Sequence, residues 1–293
     1  MAKRVLGIIG GSGVYDIDGL EWAEWHSVAG PWGEPSDQLL FGRYAGVDLV
    51  FLPRHGRGHV QTPTTINYRA NIDALKRAGV TDVISVSACG SLKEELPPGT
   101  FVIVDQFIDR TFAREKTFFG SGMVAHVPMA HPVCPALATA LEEAATAENI
   151  RHARGGTYIC IEGPQFSTLA ESHLYRSWDC SVIGMTAMPE AKLAREAELP
   201  YAVVAMVTDY DCWHPDHEHV TVDAVIKVLM ANAANARKLV CAVATRLGAD
   251  RKPSPIGIET VLDVALMTAP DKRDPALMAK LDAVAGRVLK AKD

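Results

Sequence analysis

The chain has 293 residues, 48% of them hydrophobic and 22% charged, with a formal net charge of -6 at pH 7. That balance indicates a globular chain long enough to bury a sizeable core, and it excludes a disordered one. A pI near 5.9 with dispersed Lys and Arg argues against a nucleic-acid surface, which shows a clustered basic excess. No uncharged apolar run approaches the ~20 residues of a membrane helix. The apolar stretch after Lys3 and Arg4 is broken by Gly10 and Gly11 before it reaches the length of a signal segment. A soluble cytoplasmic protein with no nucleic-acid or membrane partner is expected. The cysteines at 89, 134, 160, 180, 212 and 241 form no CxxC pair, so they are expected as reduced core residues.

In chain order, residues 5–9 read as a buried strand running into Gly10-Gly11-Ser12-Gly13. LLFGRYAGVDLVFLP alternates on both sides of Ala45-Gly46 and predicts a hairpin. A helix is expected over residues 67–79, with Gly79 as its stop, feeding the strand DVISVSA. FVIVDQFI reads as one strand, and residues 110–122 as a long loop. Next come a helix over residues 135–148, a strand over 157–161, and a helix opened by Thr168 with Glu171 at capping-box spacing. SVIGMT, a helix starting at Pro189 and the strand YAVVAMVT follow. Over residues 221–248 the apolar positions step by three and four, predicting a long amphipathic helix. Lys252-Pro253-Ser254-Pro255 sets off a helical tail over about 252–293. Strand and helix alternate throughout, which gives one α/β domain with a mixed central sheet.

Several strand ends carry polar groups. Glycines at 10, 11 and 13 let backbone N–H groups converge on an anion while Ser12 adds a hydroxyl, although a simple strand-ending turn reads the same way. The segment fits neither GxGxxG nor GxxxxGK[ST], which disfavours nicotinamide and ATP chemistry. Arg54 and His55 follow the strand VFLP, where a guanidinium suits a phosphate; Arg57 and His59 read as a solvated turn. Ser87-Ala88-Cys89-Gly90 adds a hydroxyl and close-approach backbone, with Cys89 as packing rather than nucleophile. Phe166 in EGPQFS stands ready to stack on a flat heterocycle or to fill the core. Met185-Thr186 offers an apolar wall and a hydroxyl.

The sharpest feature is Thr208-Asp209-Tyr210-Asp211-Cys212-Trp213. On an extended backbone carboxylates at i and i+2 point the same way, so the pair can share a proton or accept from amino and ring N–H groups. The competing reading is a solvated Asx turn. His214 to His219 resembles a metal cluster only superficially, since its spacing matches no zinc pattern.

Taken in order, GIIGGSG, RHGRGH, SACGSL, DQFIDRT, EGPQFS, MTAMPEA and TDYDCW closely resemble the 5'-methylthioadenosine-cleaving branch of the trimeric purine nucleoside phosphorylase family, from Val5 to about Leu247. The resemblance implies one α/β domain around a twisted mixed sheet flanked by helices, a homotrimer with a hexamer as alternative, no metal, and no cofactor beyond phosphate as co-substrate. It assigns phosphate to Ser12, Arg54, His55, Ser87, the Ala88 backbone and Thr186. Met185 would lie against the ribose, Phe166 and Ser167 beside the purine, and Asp209 and Asp211, both catalytic, at its N7 and 6-amino edge, with Tyr210 among the substrate-binding residues. Val222 and Val225 would form the 5'-methylthio pocket, with His126 reaching in from a neighbouring subunit. Ser12 and Ser87 stand where many relatives have threonine, and the tail after Lys252 diverges. The implied reaction is phosphorolysis of methylthioadenosine in purine and methionine salvage. Alternatives are phosphorolysis of 6-oxopurine nucleosides or methylthioinosine, and a non-catalytic nucleoside-binding module.

Overall fold

The computed structural model describes residues 3–11, 13–215 and 222–289, with the backbone alone at 222–225, 227 and 229. Its strands are β1 (Val5–Gly10), β2 (Glu21–His26), β3 (Leu39–Tyr44), β4 (Val47–Pro53), β5 (Asp82–Ser91), β6 (Phe101–Ile103), β7 (Gln106–Asp109), β8 (His152–Arg154), β9 (Thr157–Cys160), β10 (Val182–Gly184) and β11 (Tyr201–Asp209). They join in one sheet ordered β2-β3-β4-β1-β5-β10-β9-β7, with β11 pairing β5 and β6, and β6 pairing β8. Parallel pairs such as β1 with β4 and β5 coexist with antiparallel ones such as β3 with β4, so the sheet is mixed.

Alternation along the strands decides which helices cover which face. Leu6 and Ile8 of β1 and Ala202, Val204 and Met206 of β11 point to one side. There they meet Leu137 and Leu141 of α2 (Pro135–Ala147) and Leu239 and Val243 of α5 (Val222–Leu247). Ile9, Tyr201, Val203, Ala205 and Val207 point to the other side, against Ile72 of α1 (Tyr68–Arg77) and Leu193 of α4 (Ala187–Glu196). Burying each such aliphatic side chain stabilises by about 1.5–3 kcal/mol. A smaller cluster of Leu92, Ile159, Tyr175, Ile183, Tyr210 and Trp213 lies under α3 (Leu169–Ser177). The single α/β domain and mixed sheet expected from the sequence are therefore present.

Local chemistry sets the helix ends. Asn67 caps α1 by accepting from the Ala70 N–H at 3.1 Å, and Gly79 beyond it has φ +80°. At α3 both halves of the expected capping box form: Glu171 N donates to Thr168 Oγ1, and Thr168 N donates to Glu171 Oε2. In α4, Met188 is extended (φ -117°, ψ 133°), so regular helix begins at Pro189 as the sequence suggested.

Three expectations need correction. FVIVDQFI is not one strand: β6 pairs β11 and β8, whereas β7 pairs β9. The chain crosses at Asp105, whose Oδ1 accepts from Gly156 N at 3.1 Å while Gly156 O accepts from Asp105 N at 3.2 Å. The tail is not set apart. Its helices α6 (Leu262–Ala265), α7 (Pro275–Lys280) and α8 (Gly286–Leu289) bring Leu262, Leu281, Val284 and Ala285 into the same core cluster as α1 and α4. Two strands, β2 and β8, were missed because β2 is almost wholly exposed and β8 is too short to show alternation. The cysteines are free as expected, four buried and Cys212 and Cys241 half-buried.

Candidate active site

The strand ends converge on Arg54. Its backbone N–H donates to Gly10 O at 2.9 Å, which fixes the turn after β4 against the glycine loop after β1. The guanidinium is buried, 2% exposed, and donates from Nε to Glu190 Oε2 at 2.9 Å, from Nη1 to Val86 O at 3.1 Å and from Nη2 to Ser85 Oγ at 2.5 Å. Burial disfavours its charge, but the Glu190 carboxylate outweighs this and holds Arg54 protonated above its ordinary range. His55 sits beside it with Nδ1 at 2.9 Å from Gln61 O; a carbonyl only accepts, so Nδ1 carries the proton. Burial, with Arg54 and His59 nearby, lowers its pKa to about 4, so the ring is neutral. The His59 ring stacks on it at 4.2 Å.

Ser87 on β5 and Thr186 at the start of α4 bring two buried hydroxyls to 3.2 Å. Thr186 makes no side-chain cap bond to its own helix, so its hydroxyl stays available. Ala88 follows on β5, paired with Met206 of β11. Ser12 lies outside the described residues, as does most of the 214–219 histidine stretch.

A second buried ion pair ties the loops together. Glu162 accepts from Arg114 Nε at 3.0 Å, from the N–H groups of Phe112 and Ala113 at 2.7 and 3.2 Å, and from Thr64 Oγ1 at 2.5 Å. Burial would raise its pKa, but these donors hold it at about 2. Arg114 Nη1 donates to the carbonyls of Met185 at 2.6 Å and Met188 at 2.7 Å, and Nη2 to that of Glu162. The loop at 110–122 is thus anchored through Arg114 to the segment that carries Met185 and Thr186.

The carboxylates meet, though not by the expected route. β11 ends at Asp209, and Asp211 has φ +54°, so the backbone between them is not extended. Asp209 Oδ1 accepts from Asp211 N at 2.8 Å, an Asx turn, but the turn is buried rather than solvated: Asp211 is 8% exposed. Thr208 Oγ1 donates to Asp209 Oδ2 at 2.6 Å. Burial raises both pKa values, that of Asp211 to about 6 with a smaller push from Asp209.

Of the remaining expected residues, Ser167 presents a buried Oγ with no partner among the described residues, and Phe166 is half exposed. Tyr210 points its side chain elsewhere. Its ring packs in the cluster under α3 and its hydroxyl donates to Glu94 O at 3.2 Å, so the side chain is engaged away from the carboxylates it separates. Val222 and Val225 lie on α5 with side chains outside the description. His126 is exposed, on a strip whose Ala125 bridges Leu266 of the tail. The sequence reading missed Thr64, Arg114, Glu162 and Glu190 altogether.

The two polar groupings share one platform. Ser87 pairs with Ala205 and Gly90 with Asp209 on the parallel strands β5 and β11, three residues apart, or about 10 Å along a strand. A Cβ on Gly90 would meet Asp209 Oδ1 at 2.9 Å, so glycine lets the carboxylate lie against β5. Hydroxyls and a guanidinium at one end, and two carboxylates of raised pKa at the other, suit a ligand with an anion at one end and a nitrogen base at the other.

The model of the phosphorylase superfamily matches residues 5–245, and the chain belongs to that superfamily. An S-methyl-5'-thioadenosine phosphorylase of Cereibacter sphaeroides is 66% identical over 288 residues, covering 98% of this chain and 99% of its own. One of Rhodospirillum rubrum is 65% identical over 287 residues, covering 98% of each. The crystal structure of a methylthioadenosine phosphorylase from an antarctic soil metagenomic library superposes with TM-score 0.91 at 46% identity, covering 97% of this chain and 99% of that one. Within the superfamily, the chain falls among the S-methyl-5'-thioadenosine phosphorylases. A mutant adenosine/methylthioadenosine phosphorylase of Schistosoma mansoni in complex with methylthioadenosine matches with TM-score 0.77 at 37% identity, covering 85% of this chain and 93% of that one.

Proposed function

We propose that this chain cleaves S-methyl-5'-thioadenosine with inorganic phosphate, giving adenine and 5-methylthioribose 1-phosphate. The observation that carries this reading is the Asp209–Asp211 pair, partly buried Asp209 ending β11 and buried Asp211 just beyond it, beside the strand β5 that presents Ser87. As the C1'–N9 bond breaks, its electron pair moves to the purine and positive charge develops on the ribose. A phosphate oxygen forms the new bond to C1'. Arg54, Ser87, Thr186, the Ala88 backbone, neutral His55 and Ser12 orient that phosphate, converting an encounter into a near-attack geometry. Asp209 holds a proton at N7, a role favoured by its raised pKa, and ionised Asp211 accepts from the 6-amino group. No phosphoryl group is transferred, so phosphate serves as co-substrate and the scheme uses no metal or organic cofactor.

Met185 lines the ribose, Phe166 and Ser167 the base, and Val222 and Val225 the methylthio group. The chain acts in the cytoplasm as a homotrimer, with the exposed His126 entering a neighbour's pocket. No helix of the described residues is long and apolar enough to cross a membrane, in keeping with this. The decisive experiment follows adenine release from methylthioadenosine with and without phosphate. Phosphate-dependent release is expected. Equal release without phosphate would make the enzyme a hydrolase, faster turnover of methylthioinosine would favour a 6-oxopurine phosphorylase, and tight binding with no product would leave a non-catalytic module.

A further inference from the structure

Glu190 takes no part in the scheme above, yet it is 2% exposed beside the proposed phosphate end. It stands in the first turn of α4, four residues after Thr186. Its Oε2 accepts from Arg54 Nε at 2.9 Å, and its Oε1 accepts from Arg54 Nη2 at 3.3 Å and from the Tyr201 hydroxyl at 2.8 Å. Both side chains of this ion pair are 3% exposed. Desolvating two charges so completely is costly and is often matched by a well-packed apolar pair, so stability alone explains it poorly. Its location explains more.

Arginine has five N–H donors in one plane. Glu190 takes the edge formed by Nε and Nη2, Ser85 and Ile9 take further bonds from Nη2, and Val86 O takes one from Nη1. One N–H of Nη1 is left without an acceptor among the described residues. The bonded carbonyl belongs to the residue before Ser87, so the guanidinium is locked against the strand that presents that hydroxyl. An arginine held only by its aliphatic stem would sample many orientations; a bidentate carboxylate fixes one.

We propose that Glu190 is a positioning residue for phosphate: without touching the anion, it fixes the plane of the Arg54 guanidinium and offsets its charge, so that the anion meets a directed N–H. Tyr201 holds Glu190 in turn. This rests on the phosphorolysis reading, in which phosphate is the co-substrate.

The test is steady-state kinetics with phosphate and methylthioadenosine varied in turn. For Glu190→Gln, the KM for phosphate is expected to rise about tenfold or more while the KM for the nucleoside stays within about twofold. Tyr201→Phe loses one bond to Glu190 and keeps the ring, so it guards against a Glu190 variant that fails to fold; a rise of about threefold in phosphate KM is expected. In an Arg54→Lys background, Glu190→Gln should add almost nothing to the phosphate KM, because the group it aims is gone. A phosphate KM that is unchanged or lower in these variants, or penalties that simply add in the double variant, would overturn the positioning role. Adenine release by the unaltered enzyme that ignores phosphate would overturn the underlying reading as well.

Discussion

Asp209 accepts the backbone N–H of Asp211 on Oδ1 at 2.8 Å, so one carboxylate of the pair anchors the turn that presents the other. The two side chains therefore cannot be altered independently, and substitutions at Asp209 act on both position and proton.

Asp209→Asn keeps an oxygen for the Asp211 N–H but removes the exchangeable proton and the charge. Turnover of methylthioadenosine should fall about 100-fold, in the range expected for a lost general acid. Preference between 6-amino and 6-oxo nucleosides should change little, because both bases carry N7; the shift toward a 6-oxopurine nucleoside is expected for Asp211→Asn, whose amide can donate where the ionised carboxylate only accepts. Parallel assays of adenine and hypoxanthine release check both variants; unchanged preference in Asp211→Asn would remove Asp211 from recognition of the 6-position.

Asp211 titrates near pH 6 because burial disfavours its ionised form. If ionised Asp211 accepts from the 6-amino group, kcat/KM for the nucleoside should decline as pH falls through about 6, and this limb should be absent in Asp211→Asn. Stability has the opposite sign. The native pKa lies above the usual 3.8, so the folded state binds this proton more tightly than the unfolded chain. The cost of the buried carboxylate is full above about pH 6 and is relieved as pH drops toward 4. Urea unfolding at pH 5 and pH 7 should show this relief in the unaltered protein and not in Asp211→Asn.

Arg114→Met leaves Glu162 buried without its cation. Removing one partner of a buried pair costs about 3–5 kcal/mol, which chemical denaturation would register as a lower midpoint. Glu162 is held at about pH 2, below its usual 4.5, so its contribution is present above pH 4.5 and lost as pH falls through 2. The unaltered protein should therefore retain the Arg114–Glu162 contribution down to more acid pH than its ordinary glutamates would allow.

Gly90→Ala would place a methyl 2.9 Å from Asp209 Oδ1 and 3.1 Å from Ile183 Cγ2. The carboxylate must move by a few tenths of an ångström or more. A loss of about 10-fold or more in kcat is expected, with a much smaller change in phosphate KM, since Ser87 lies three residues away. Equal losses in both would point to a general disturbance of β5.

Much of this was legible locally. Glycine at strand ends, the capping box at Thr168 and Glu171, and continuous apolar runs such as residues 201–207 announce themselves within a few residues of sequence. Arg114 and Glu190 do not. Glu190 and its neighbours read as an ordinary charged helix, and only the fold reveals that Arg54, 136 residues away in sequence, is its partner. The break in FVIVDQFI is equally invisible, because Asp105 is held by Gly156, 51 residues further on. The Asp209–Asp211 pairing was anticipated for an inexact reason: extended geometry predicted proximity, while the molecule achieves it through a left-handed residue and a side-chain cap.

β5 pairs β11 along most of its length, β1 from Asp82 to Ser85 and β10 at its end, and Ile84, Ser85 and Val86 are essentially without solvent exposure. Amide hydrogens at those three positions can exchange with deuterium only when neighbouring strands separate, which is close to unfolding the whole protein. The Ser87 platform thus inherits the full stability of the sheet, whereas the exposed turn around His59 is held by no strand pairing among the described residues and should exchange first. Deuterium uptake would separate the strand from the turn in time.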